Sequence, residues 1–251
     1  MSDFYLILVG LFLPLFPLSM VFNAVFSKIK SHIIRYVLLL VWPQIGLVTL
    51  FSLGVDVPGW VAVWGLLTAL LYAFRLLTIR ELGLWASFIA TSAWALLWII
   101  LLNSDDSSIY LYALAFSVPL MLFVSLGEEL TKRFGAAYVG IYSGLAQTQP
   151  RFSGVLVMVV LAVVATPIFP AFFAVLHSIV IVVPTSLTMA ILAGIVWTLW
   201  TWAGARVLHG LIVGPATQND IPDLTSGSAW RYSGMLVGIA VVGLILIGGL
   251  P

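Results

Sequence analysis

The chain has 251 residues, of which 63% are hydrophobic and 8% are charged, and its mean hydropathy is +1.20. A soluble domain is about 45–50% apolar and about 25% charged, so these few charged side chains cannot cover a water-exposed surface. The composition predicts a protein immersed in lipid and excludes a cytosolic enzyme and a disordered chain. The absence of cysteine excludes a disulfide scaffold, and a net charge of +1 offers no basic footprint for nucleic acid.

Continuous apolar runs predict membrane-spanning helices. A hydrocarbon core about 30 Å thick needs about 20 apolar residues per helix, and strand alternation is absent. We therefore predict an all-α, polytopic transmembrane bundle of about eight spans, forming a single domain over residues 1–251. In chain order the segments are Phe4–Phe26, Tyr36–Leu53, Trp60–Leu77, Leu82–Leu102, Ile109–Leu126, Val155–Leu176, Ser186–Leu208 and Tyr232–Ile247. No cleavage site follows the first segment, so we expect it to be a retained span.

The polar connections between these segments alternate in charge. The basic connections carry Lys28, Lys30, His32 and Arg35, then Arg75 and Arg80, then Lys132, Arg133 and Arg151, and last Arg206, His209 and Arg231. The intervening connections carry Asp56 and then Asp105 and Asp106. Because cationic loops stay cytoplasmic, we predict an integral protein of the bacterial cell inner membrane with both termini outside.

Two prolines interrupt the sixth segment. Pro167 and Pro170 lie three residues apart within residues 166–170, and each removes a helix donor and clashes with the preceding turn. The pattern predicts either a kinked helix or a true break into two half-helices, and the sequence does not decide between them. No internal repeat is evident in the letters.

Motifs for bond-making chemistry are not found. The chain has three histidines and no cysteine, which are too few ligands to favour a haem or an iron–sulfur cluster. The sequence also lacks phosphate-binding loops, metal-ligand spacings and nucleophile triads. We expect no catalytic residues, no cofactor and no metal on this chain.

A few ionisable residues near the span ends are candidates for a proton path, because such groups are costly in hydrocarbon. Arg75 lies near the end of the third segment, where snorkelling to the interface is the alternative explanation. Glu128 and Glu129 close the fifth segment beside Lys132 and Arg133. This charge cluster has two interpretations, which are i,i+4 pairs within one helix or a site of proton uptake.

His177 follows the interrupted span and is a further candidate for the proton path, since histidine titrates near neutral pH. A hydrogen-bonded interfacial histidine is the alternative.

Most tryptophans lie near the predicted span ends, which predicts an aromatic belt formed by Trp42, Trp60, Trp64, Trp85, Trp94, Trp98 and Trp230. For Trp197, Trp200 and Trp202 we predict contact with lipid or a partner.

The second half of the chain resembles a known family. Phe123–Gly135 (FVSLGEELTKRFG), then Gly144-Leu145-Ala146 and Gln149-Pro150-Arg151, then Gly214-Pro215 and Asp223-Leu224-Thr225, are similar to proton-translocating antiporter-like membrane subunits. These are the large membrane subunits of respiratory complex I, multisubunit cation/proton antiporters, membrane hydrogenases and inorganic-carbon uptake complexes. The resemblance covers roughly residues 76–251 and implies a helical subunit of a translocating hetero-oligomer.

The departures from the family concern its titratable groups. The resemblance implies a central histidine and lysine at positions that hold Ala115 and Pro119 here, and an acid or lysine within residues that read Ala171-Phe172-Phe173-Ala174. The chain is also shorter than family members. A complete proton path of side chains is therefore not expected on this chain.

Two functions follow from the resemblance and its departures. The chain is either a shortened subunit of a proton- or cation-translocating complex or a noncatalytic scaffold that docks a catalytic partner. The missing polar active-site cluster disfavours a third class, an integral membrane enzyme. The partners we expect are other membrane and peripheral subunits and lipid, and no nucleic acid.

Overall fold

The structure is a computed structural model that describes residues 2–54, 56–103, 108–215 and 221–246. Within these residues the chain is helical and forms only two isolated β-bridges, so the predicted all-α class is confirmed. The helices are α1 (Ser2–Phe12), α2 (Ser19–Lys28), α3 (His32–Leu53), α4 (Gly59–Leu76), α5 (Leu82–Asn103), α6 (Ile109–Phe134), α7 (Leu145–Thr148), α8 (Pro150–Val163), α9 (Pro170–Val182), α10 (Leu187–Ile212) and α11 (Ser226–Leu246). The acidic pair Asp105 and Asp106 lies outside the described residues.

The polytopic architecture agrees with eight predicted segments. Six helices, α3, α4, α5, α6, α10 and α11, are long and apolar enough to cross a membrane. The other two segments are broken pairs, α1–α2 and α8–α9. Since α8 and α9 have 14 and 13 residues, each is about 20 Å long at 1.5 Å per residue. Neither half alone spans a bilayer core.

The first segment is not the continuous helix that we predicted. Residues 13–18, which include Pro14 and Pro17, separate α1 from α2. The prediction was wrong because it weighed hydropathy over Phe4–Phe26 and overlooked the two prolines. Both breaks carry the same short motif, which is Pro14-Leu15-Phe16-Pro17 in the first and Pro167-Ile168-Phe169-Pro170 in the second. Our search for internal repeats overlooked it.

The interrupted sixth segment is a true break and not a kink. Helix α8 ends at Val163, and α9 begins with Pro170 as its first residue. Between them, Ala165 has a φ of 60° and is fully buried. A left-handed conformation is uncommon for residues other than glycine, so the surrounding packing holds this backbone in place.

Tryptophan indoles donate hydrogen bonds to carbonyls at both breaks. At the first break, Trp98 Nε1 donates to Leu13 O at 3.2 Å and Trp64 Nε1 donates to Phe16 O at 2.7 Å. At the second, Trp197 Nε1 lies 3.2 Å from both Val164 O and Ala165 O. Interrupted backbone at membrane depth persists only where protein or water satisfies its polar groups. Here the neighbouring helices α4, α5 and α10 satisfy several of them.

Helix α5 lies at the centre of the bundle. It packs against α2, α4, α6 and α9, and every residue from Trp85 to Leu101 is buried. Trp85, Trp94 and Trp98 are fully buried here, so the prediction that they belong to an interfacial belt was wrong. Trp60 and Trp230 are more than half exposed, as an interfacial position requires.

The basic connections lie at one end of the bundle. The start of α3 meets the end of α6 through His32 and Glu128, and the end of α6 meets the segment before α11 through Arg133 and Pro222. The same segment contacts the start of α8 through Asp223. This arrangement agrees with the alternating charge pattern of the connections.

We predict that Trp98→Phe lowers the free energy of unfolding by about 1–3 kcal/mol, because it leaves the carbonyl of Leu13 without its donor in a buried site. Thermal unfolding in detergent micelles measures this change. The matched control is Trp230→Phe, whose ring is 77% exposed and whose replacement should change stability by less than about 0.5 kcal/mol. Equal losses in the two variants would contradict the role assigned to the indole.

Candidate functional site

A charged cleft of about 560 Å³ opens at the basic end of the bundle. Three parts of the chain form it, which are the turn before α3 with the start of α3, the start of α5 with the preceding Glu81, and the end of α6 with residues 135–138. Its charged lining residues are Lys30, His32, Arg35, Glu81, Glu128 and Lys132. We refer to it below as the charged cleft.

Glu128 contacts a histidine from another helix. Its Oε2 lies 3.3 Å from Nδ1 of His32, and the two side chains are 19% and 46% exposed. The i,i+4 interpretation expected Glu128 to pair with Lys132, but the structure places Lys132 against Glu129 at 3.5 Å. The carboxylate of Glu128 therefore faces the cleft and a residue that can carry a proton.

Arg35 and Glu81 both approach Gly83 in the charged cleft. A Cβ atom at Gly83 would lie 3.0 Å from Glu81 Oε1 and 3.4 Å from Arg35 Nη1. Arg35 is held by donating from Nε to Ile29 O at 2.8 Å and by stacking over the Phe26 ring. The missing side chain at Gly83 leaves room for both charged groups.

Glu129 belongs to a separate set of contacts. Its carboxylate lies 3.5 Å from Lys132 Nζ and 3.6 Å from Arg133 Nε, so the expected i,i+4 pair with Arg133 is present. Arg133 also donates to Pro222 O at 2.7 Å. Glu129 therefore helps to position the arginine that holds the segment before α11.

Asp223 ties that segment to the start of α8. Its carboxylate accepts hydrogen bonds from the backbone N–H groups of Arg151 at 2.8 Å and Phe152 at 3.1 Å. An acidic side chain at a helix N-terminus satisfies unpaired donors and complements the helix dipole. The Asp223-Leu224-Thr225 motif thus has a structural role in docking α11.

Neither of the remaining proton-path candidates lines the charged cleft. Arg75 is exposed at the end of α4, with its guanidinium over the Phe88 ring at 5.2 Å. His177 stacks on Tyr112, with ring centroids 5.2 Å apart. Tyr112 and Glu128 are 16 positions apart on α6, which is about 24 Å along the helix axis. The structure therefore brings together Glu128, Glu129, Lys132 and Arg133, but neither Arg75 nor His177 joins them.

The buried interior contains a neutral polar row, which we define as Ser19, Asn23, Tyr72, Thr91, Ser92 and Trp200. Ser19 Oγ and Tyr72 OH are 2.9 Å apart, Thr91 Oγ1 donates to Asn23 Oδ1 at 3.3 Å, and Trp200 Nε1 donates to Ser92 Oγ at 2.9 Å. Among the described residues, the fully buried polar side chains are all uncharged. The row links α2, α4, α5 and α10, and it contains no Asp, Glu, His, Lys or Arg.

Sequence reasoning missed this row because it searched the spans for ionisable residues. The buried Trp200 also contradicts the predicted lipid or partner contact for that residue, whereas Trp202 is 61% exposed. At the positions where the family resemblance implies a histidine and a lysine, Ala115 and Pro119 are buried within α6. The interior of this chain is therefore apolar where those groups were implied.

Comparisons with known proteins identify related folds. No protein-family model matches the sequence, and no curated protein matches it significantly. Among solved structures, a chain of "Respiratory complex I from Thermus thermophilus with bound NADH" superimposes with a TM-score of 0.85 at 16% identity, covering 96% of this chain and 53% of that chain. A chain of the Mrp complex from Dietzia sp. DQ12-45-1b gives a TM-score of 0.80 at 16% identity, covering 97% and 56%.

A chain of respiratory complex I from Thermus thermophilus with bound aureothin gives a TM-score of 0.70 at 12% identity, covering 94% of this chain and 55% of that chain. The likeness in fold confirms the resemblance recognised in the sequence and extends over nearly the whole chain. This chain spans about half the length of the chains it matches. At such low identity the comparisons establish the fold alone.

We predict that Asp223→Ala releases the segment before α11 from α8 and costs about 1–2 kcal/mol, the usual cost of losing a helix cap. The chain has no cysteine, so Leu224→Cys, at a buried position, can report release through its labelling rate with a thiol reagent. Labelling should accelerate in the Asp223→Ala background and stay unchanged with Asp56→Ala, which replaces an exposed carboxylate elsewhere. Unchanged labelling in both backgrounds would refute the docking role.

Proposed function

We propose that this chain is a membrane subunit of a multisubunit complex that translocates protons or other cations. The observation that carries the proposal is its fold, which is similar over 96% of its length to a chain of respiratory complex I. The two broken helices and the charged cleft at one end support it. Helices interrupted within membranes are typical of transport pathways, since they place backbone dipoles at membrane depth.

The chain contributes only part of a proton path. Its fully buried polar side chains within the described residues are neutral, and its charged groups lie at the rim. We propose that partner subunits supply the missing titratable groups. The path would then run along an interface between polypeptides.

Glu128 is the residue that we assign to proton uptake. It faces the charged cleft, is less exposed than the other carboxylate of the charge cluster, and lies against His32. A carboxylate in contact with an imidazole can pass a proton from one group to the other, which is the chemistry of general acids and bases. Glu129, His177 and Arg75 do not line the charged cleft, so we propose that any part they have in the path is completed through partner subunits.

We predict that Glu128→Gln slows proton uptake by the intact complex in liposomes by about tenfold, which corresponds to about 1.4 kcal/mol in the barrier. A pH-sensitive dye trapped in the vesicles measures the rate. Glu81→Gln is the matched control, because Glu81 lines the same cleft but has no ion pair within 4 Å to a described residue. A wild-type rate in the Glu128→Gln complex would refute the assignment.

The second candidate function is a noncatalytic scaffold that anchors a catalytic partner. The neutral interior favours it, because a subunit that only packs against its neighbours needs no buried charge. Unchanged translocation after Glu128→Gln and Glu129→Gln together, with an intact complex, would establish the scaffold and exclude the conducting role.

We also propose that the basic end of the bundle faces the cytoplasm of a bacterial inner membrane, as the distribution of lysine and arginine favours. In intact cells, a membrane-impermeant thiol reagent should label Gly54→Cys and leave Ser31→Cys unlabelled. The reverse pattern would invert the orientation.

A further inference from the structure

A second cleft, of about 650 Å³, lies between the ends of α4 and α10 and the connection at Val139-Gly140. Its apolar floor comes from α4 and α10, and its charged lining residues are Arg80, Arg206 and His209. We call it the basic groove. It is separate from the charged cleft, and the proposed function makes no use of it.

The three basic side chains of the groove share two properties. They are exposed, and they form neither hydrogen bonds nor ion pairs with any residue that the structure describes. The lining of the groove contains no carboxylate. Glu81, which follows Arg80 in the chain, instead lines the charged cleft and approaches Gly83. The groove therefore concentrates positive charge without an internal counter-ion.

The groove lies where a lipid headgroup would be in a bilayer. It is at the basic end, where two membrane-length helices terminate. Trp202, which is 61% exposed, lies one turn before Arg206 on the same face of α10. Tryptophan and arginine are the residues that mark the boundary between hydrocarbon and water. Phe74, 63% exposed on α4, continues the apolar surface away from the groove.

The walls of the groove are preformed. The side chain of Val139 packs directly against Gly210 of α10, so closely that any Cβ atom at that position would clash with it. Val139 N also donates to Arg80 O at 2.8 Å. These contacts hold the connection, Arg80 and α10 in one arrangement.

We propose that the basic groove binds a membrane phospholipid with an anionic headgroup. The phosphate lies between Arg80 and Arg206, because guanidinium groups match phosphate oxygens in charge and geometry. An acyl chain follows the apolar floor formed by Leu76, Ala203 and Val207. An acidic protein segment fits less well, since the apolar floor and Trp202 continue into the surface that faces hydrocarbon.

The test is a lipid titration of the full-length protein, purified with its bound subunits in detergent and followed by native mass spectrometry. Phosphatidylglycerol should bind more tightly than phosphatidylcholine. Each basic residue near an anionic headgroup contributes roughly a factor of five, so Arg80→Gln with Arg206→Gln should weaken phosphatidylglycerol binding about 25-fold. Arg80→Lys with Arg206→Lys should retain most of it, because both positive charges are kept.

Two controls separate the groove from general surface charge. Lys28→Gln with Arg231→Gln removes the same number of charges at the same end and should leave binding within about twofold of wild type. Inorganic phosphate at the same concentration should not displace the lipid. Equal weakening in both double variants, equal binding of phosphatidylcholine, or displacement by free phosphate would each overturn the proposal.

Discussion

The architecture depends on hydrogen bonds from indole N–H groups to carbonyls in two broken helices. In hydrocarbon, an unpaired carbonyl costs several kcal/mol, so a chain that interrupts two of its spans needs donors at the interruptions. Trp98, Trp64 and Trp197 supply them from α5, α4 and α10. Because each donor comes from a different helix, the breaks also determine how these helices pack.

The same constraint shapes the interior. Hydroxyl, amide and indole groups satisfy one another along the neutral polar row, so the bundle is held by polar contacts that carry no charge. Charged groups are concentrated at the basic end, in the charged cleft and the basic groove. Under the function proposed above, Glu128 and His32 bring protons to the rim, and groups from other subunits complete the passage across the membrane.

Part of this structure is predictable from sequence. The apolar segments indicated the helical bundle, and the second pair of prolines indicated an interruption that the sequence left open as a kink or a break. The first break was missed because hydropathy averages over Pro14 and Pro17, although the same Pro-x-Phe-Pro pattern occurs at both breaks. The tryptophans were misread because position in a span does not show whether an indole faces lipid or a carbonyl on another helix.

The candidate site was predictable only in its local part. Glu129 and Arg133 are one helical turn apart, so their pairing follows from spacing alone. The contact of Glu128 with His32 joins residues about one hundred positions apart and depends on how α3 packs against α6. For the same reason, the role of Asp223 at the start of α8 emerged only once the chain was folded.

The most direct measurement is to isolate the protein from its native membrane in mild detergent, identify what is bound to it, and reconstitute it in liposomes. We expect the protein to be recovered with other membrane subunits, and we expect proton movement to require them. Recovery of a monomer that moves protons across liposomes unaided would contradict this expectation.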